Sequence, residues 1–145
     1  MIRLAALVLV AAVAVGGCSS DPKETYCDQV TKDQAELSDV LDAGGNDALI
    51  QALPLFEGLH DKAPEDIRDE WATLNGAIAG LRDALADAGV DASTYKRNKP
   101  PAGVTNAQQA AIDAAARRLT DPTTVAAFEG VQQQARDVCG TPLSI

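Results

Sequence analysis

The sequence predicts an all-α fold, and three observations carry the prediction. Aromatic residues make up 3% of the chain, too few for a β-sandwich, whose strands rely on aromatic and β-branched side chains. Alanine is abundant instead, which favours closely packed helices. Between Ile67 and Ala88, apolar residues recur at alternating spacings of four and three (Ile67, Trp71, Leu74, Ile78, Leu81, Leu85, Ala88). That spacing draws one stripe down a helix more than five turns long.

The elements follow in chain order. A first helix is expected from about Glu24 to Ala43, with Tyr26, Val30, Leu37, Val40 and Leu41 on one side. Gly44-Gly45 ends it, because glycine accepts the left-handed cap conformation. Asn46 is a suitable cap for a second helix through Leu49, Ile50, Leu53, Phe56 and Leu59, in which Pro54 imposes a kink or a late start. The third helix carries the long stripe. Pro64 suits its first turn, Glu65 and Asp66 complement its dipole, and Gly89 stops it.

Residues 90–104 lack periodicity and read as a loop. A fourth, alanine-rich helix runs from about Asn106 to Leu119, and Asp121-Pro122 interrupts it. The fifth carries Val125, Phe128, Val131, Ala135 and Val138 and ends at Gly140-Thr141-Pro142. The expected organisation is a leader over 1–17, a tether over 18–23, one helical domain over 24–140 and a tail over 141–145.

The N-terminus has a different logic. Arg3 is the only charged residue before Asp21, and Leu4 to Val15 is an unbroken run of Leu, Ala and Val. Twelve residues rise about 18 Å as a helix, short of the roughly 30 Å hydrocarbon core. A positive start, a short apolar run and small residues at its end are the marks of a secretory signal. Val15-Gly16-Gly17-Cys18 resembles the bacterial lipobox, in which an aliphatic and two small residues precede a cysteine. The resemblance implies cleavage before Cys18 and acylation of its thiol, with thioether-linked diacylglyceryl and further acyl chains such as palmitate. Two or three chains hold a protein stably on a membrane, whereas one binds marginally. The expected address is the cell membrane, lipid-anchored on its extracytoplasmic face.

With Cys18 assigned to lipid, Cys27 and Cys139 remain. An exported chain meets an oxidising compartment, where an even pair reads as a disulfide. Its closed loop is long enough for chain entropy to contribute about 4–5 kcal/mol. The bond also constrains topology, since its Cα atoms must come within about 7 Å. Five strictly alternating helices would put Cys27 and Cys139 at opposite ends; an even number of arms brings them together. The fourth and fifth helices are therefore expected to form one arm bent at Asp121-Pro122, giving an antiparallel bundle of four arms.

Charge narrows the partners. The net charge of −9 becomes −10 once Arg3 leaves with the leader. Such a surface repels nucleic-acid phosphates and anionic head groups, so the lipid has to hold the protein at the membrane. No nucleic-acid partner is expected.

Few residues point to chemistry. His60, the only histidine, sits beside Asp61 and near Glu57, with no nucleophile placed beside it; a histidine in a last helical turn is ordinarily a dipole partner. Asp66, Asp69 and Glu70 lack the alternating oxygen ligands and central glycine of a calcium loop. No catalytic residue, metal site or cofactor is expected. Trp71, the sole tryptophan, belongs to the apolar stripe and reads first as core, with a partner contact as the second reading. Lys96, Arg97 and Lys99 form a positive patch on an acidic protein and are the other candidate partner contacts.

Taken together, the lipobox, the paired cysteines and the segment Ala63 to Trp71 (Ala-Pro-Glu-Asp-Ile-Arg-Asp-Glu-Trp) are similar to small helical lipoproteins and secreted helical proteins of high-GC Gram-positive bacteria. The resemblance implies a helical envelope protein and transfers no catalytic or binding residue. The expected function is a non-enzymatic, membrane-anchored module that binds a protein partner or wall component; the alternative is a carrier for a small or apolar ligand in the bundle core.

Overall fold

A computed structural model describes residues 21–143. The expected cleavage site and the first half of the tether, Cys18 included, lie outside these residues. Five helices are described: α1 (Pro22–Asp42), α2 (Ala48–Lys62), α3 (Arg68–Asp87), α4 (Asn106–Leu119) and α5 (Pro122–Cys139). The class is all-α, and the arms pack α1 on α2, α2 on α3, and α3 on both α4 and α5.

The last arm is shared as the disulfide argument requires. Gln108 at the start of α4 donates through Nε2 to the Asp87 carbonyl at the end of α3, 3.1 Å away. At the other end of α3, Gly130 of α5 lies against Glu70 and Ile67. So α4 and α5 run in line, antiparallel to α3. Asp121 accepts from the Thr123 amide at 2.9 Å and Pro122 opens the new helix, which bends the arm without breaking it. Cys27 and Cys139 are bonded, with Cα atoms 5.0 Å apart. Four antiparallel arms result.

Several boundaries differ from the sequence expectation. Helix α1 starts at Pro22, because Asp21 caps the Lys23 amide at 3.0 Å and proline suits the first turn; residues 22 and 23 are helix, not tether. Asn46 does not cap α2. Asp47 stands at that position, and Asn46 reaches across to donate to the Tyr95 carbonyl at 3.2 Å. Pro54 lies within α2 on its exposed face, so the missing backbone bond is on the solvent side and the helix continues. Helix α3 begins at Arg68, not near Pro64. Residues 64–67 form a turn instead, closed by the Ile67 amide donating to the Pro64 carbonyl, and the Arg68 guanidinium donates to the Ala63 carbonyl at 2.9 Å.

The main core lies toward the disulfide end. Trp71, Tyr26 and Phe56 are fully buried, surrounded by Val30, Leu53, Leu59, Ile78 and Val131. The Trp71 indole donates to the Tyr26 hydroxyl at 3.1 Å, and the Phe56 and Trp71 ring centroids are 5.8 Å apart. The described part of the tail, residues 141–143, packs onto this core. Gln34 donates to the Pro142 carbonyl at 2.8 Å, which brings Leu143 into a fully buried position. At the opposite end, Leu85, Ile112 and Ala115 are buried outside the main cluster.

Candidate partner-binding groove

The groove is built on the long α3–α4 connection. Gly89, with φ of +66°, closes α3 as the Val90 amide donates back to the Leu85 carbonyl. Asp91 then folds the chain tightly. One of its carboxylate oxygens accepts from the Ser93 amide at 2.8 Å and the Ser93 hydroxyl at 2.6 Å, and its carbonyl accepts from the Tyr95 amide. These Ser93 bonds hold the Asp91 carboxyl below its ordinary pKa of 3.8. The loop exits into α4 through a reciprocal cap, in which Thr105 accepts from the Gln108 amide and Gln108 accepts from the Thr105 amide.

Two contacts press the loop's cationic middle onto α4. The Gln109 side chain donates to the Arg97 carbonyl at 3.2 Å. The Arg97 guanidinium grips Asp113 with both arms, at 2.7 and 3.2 Å. Arg97 is largely exposed, so the pair contributes little to stability, but its fork geometry sets the direction of the loop.

Between loop, α3 and α4 runs an open cleft of about 430 Å³. Leu81, Leu85, Ala92, Ile112 and Ala116 form its apolar floor, and Asn46, Lys96 and Asn98 stand at its rim. A second hollow of about 210 Å³ continues it along α4 past Arg117 to Thr120, sharing Arg97, Asp113 and Ala116. The Tyr95 hydroxyl is buried beside the larger cleft with no hydrogen-bond partner among the described residues, an arrangement that ordinarily costs about 1–3 kcal/mol. Lys96 and Lys99 are exposed and have no ion-pair partner among the described residues.

Charge is divided unevenly along the molecule. From residue 82 to residue 118, six Lys and Arg face four carboxylates; the other described residues carry five Lys and Arg against seventeen carboxylates. The groove is therefore bordered by the most cationic stretch of an acidic protein, although the α1–α2 turn with Asp42 and Asp47 reaches the same end through Asn46. It also sits at the end opposite the disulfide, where α1 finishes and α4 starts. Helix α1, with 21 residues, separates the two ends by roughly 30 Å.

The remaining candidates fall elsewhere. Trp71 is wholly inside and bonded to Tyr26, so it is removed from the candidate contacts. The structure brings Lys96 and Arg97 to one groove, with Lys99 in the same loop. His60 is half-buried at the end of α2, and among the described residues no group of three or more His, Cys, Asp or Glu is arranged to hold a metal. Asp69 and Glu70 line a separate shallow cleft of about 250 Å³ with Thr73 and Thr123. A small apolar hollow of about 190 Å³ gathers Leu49 and Val125, both exposed, with Leu74, Leu119 and Phe128.

Sequence reading missed the groove's floor and its frame. Leu81 and Leu85 belong to the long apolar stripe, whose spacing does not tell core from cleft: Leu85 is buried and Leu81 only half-buried. Asn46, Tyr95 and Asp113 carried no visible signal beyond Tyr95 being the sole aromatic of the loop. The Thr105-x-x-Gln108 pattern, a capping-box signature, is the local signal that could have located the loop's end. No protein family, curated protein or solved structure matches the chain. Among the described residues, no helix is long and apolar enough to cross a membrane.

Proposed function

We propose that the chain is a membrane-anchored cell-envelope lipoprotein, a non-enzymatic helical module that binds a protein partner or wall component through the groove between the 90–104 loop, α3 and α4. The observation that carries this reading is the groove itself: an apolar floor under a cationic rim, framed by the Arg97–Asp113 fork. Recognition sites combine an apolar surface for affinity with a few placed polar groups for orientation. The lipid on Cys18 would enter at the disulfide end, three residues before Asp21, and would leave the groove at the far end of the bundle. A carrier role draws less support, because the aromatic core is filled and the small apolar hollow falls below the roughly 300 Å³ of ordinary ligand pockets.

Two measurements test this. Intact mass of the protein from its native membrane should equal residues 18–145 plus acyl groups; an unacylated mass would replace the anchor with free secretion. A photo-crosslinking residue at Asn98, exposed at the groove rim, should capture a discrete envelope component in intact cells. The same probe at Asp137, on the disulfide end, should not. Equal or absent capture from both would rule out a partner held at the groove in the cell.

A further inference from the structure

We infer that the groove's occupant is an extended acidic segment of a protein partner, with carboxylates at the rim and alternate apolar side chains on the floor. The inference rests on the proposed function and adds the partner's chemistry.

Length comes first. The two hollows share Arg97, Asp113 and Ala116 and together follow α4 from Ile112 to Thr120. Eight helical residues span about 12 Å, which matches three to four residues of an extended peptide at about 3.3 Å each. An extended peptide points successive side chains to opposite faces. One set meets Leu81, Ala92 and Ala116, backed by the buried Leu85 and Ile112, while the other stays at the level of Lys96.

Charge decides the rest. The cationic loop stretch Lys96 to Lys99 and Arg117 of α4 border the groove on a protein that is otherwise densely acidic, so an anionic segment is drawn to them and repelled by the carboxylate-rich faces. Lys96 and Lys99 are uncommitted to ion pairs among the described residues, and Arg117 stands at the far end of the second hollow. A bare polyanion such as a wall phosphate polymer would use the cations and leave the apolar floor uncovered. A second copy fits poorly. With every copy tethered at the disulfide end, all cationic tips lie at one height and all acidic ends at another.

The test uses the full chain in detergent micelles, titrated calorimetrically with a synthetic Glu-Leu-Glu-Leu-Glu peptide. Parallel titrations use Gln-Leu and Glu-Ser analogues of the same length, and poly(glycerol phosphate). The Glu-Leu peptide should bind, and more weakly as salt rises from about 0.05 to about 0.5 M. Reversing the loop's charge with Lys96→Glu plus Lys99→Glu should weaken it by on the order of tenfold. Filling the floor from the exposed position with Ala116→Trp should abolish it, while circular dichroism and melting stay unchanged. Equal binding of the Gln-Leu peptide would overturn the charge assignment. Equal binding of the Glu-Ser peptide, or polymer binding that survives Ala116→Trp, would overturn the apolar one. Capture of a partner from Asn98 without binding of the Glu-Leu peptide would leave the groove standing and overturn its acidic occupant. Peptide binding with no capture would support the chemistry and overturn the proposed partner in the cell.

Discussion

At the disulfide end, Tyr26, Phe56 and Trp71 interlock, Leu143 folds in beneath them, and Cys27–Cys139 joins the first helix to the last. At the opposite end the buried side chains are Leu85, Ile112 and Ala115, and the longest loop of the described chain, with Lys96, Arg97 and Lys99, crosses the surface. Large aromatic side chains fill much of the space between the helices at the disulfide end. Alanine and a few aliphatics, on helices of the same diameter, leave clefts between backbone and loop. One end is stabilised, and the other carries recognisable surface. The separation has a mechanical benefit: changes at the groove act on side chains that the main core does not use.

The strongest way to probe this contrast is Trp71→Ala, which should cost about 3–5 kcal/mol because it opens a cavity and strips the Tyr26 hydroxyl of its donor. Urea unfolding followed by circular dichroism measures it; a loss under about 1 kcal/mol would mean the core is not centred there. Removing the disulfide with Cys27→Ser plus Cys139→Ser should cost about 2–5 kcal/mol. Native-state hydrogen exchange should then show faster opening near Tyr26 and Val138 than near Ile112. Uniform acceleration would mean that the two ends unfold as one unit.

Arg97→Ala sharpens the other side. The exposed fork should contribute no more than about 1 kcal/mol to stability, yet its loss should loosen residues 95–99, read as faster amide exchange there. Gly76→Ala is the smallest effect and has the opposite sign. The site is exposed on α3 with nothing within 4 Å of an added Cβ, so a gain of about 0.5–1 kcal/mol is expected from helix propensity.

The two ends also respond to opposite extremes of pH. Burial, only partly offset by the Trp71 hydrogen bond, raises the pKa of Tyr26 above 10.0, and the nearby Asp66 charge raises it further. Its contribution is complete below pH 10.0 and is lost as pH climbs through the raised value. Asp91 is the reverse. Its lowered pKa makes a contribution that is present above 3.8 and lost as pH falls through the folded value. Near-ultraviolet dichroism should collapse in alkali, whereas acid should first mobilise the 91–95 turn; loss of the turn in alkali ahead of the core would contradict this assignment.

Much of the fold was legible before any coordinates. The three- and four-residue spacing from Ile67 to Leu85 determines a helix with one buried face, because side chains on a 3.6-residue period recur on that face whatever packs against it. Gly89, Gly140 and Asp121-Pro122 determine where helices stop or restart, since these are backbone properties of single residues. The paired cysteines constrained the number of arms, and the bent fourth arm follows from that constraint. Other features depended on residues distant in sequence. Whether Leu81 is core or groove floor depends on where the 90–104 loop lies. Whether Asn46 caps its own helix or ties down Tyr95 depends on how closely the α1–α2 turn approaches that loop. Leu143 became core only because α1 offered Gln34 as a bonding partner 108 residues away. Local pattern determines what a residue can do next to its neighbours in the chain; tertiary structure alone decides which surface it meets, because that surface is assembled from the other arms.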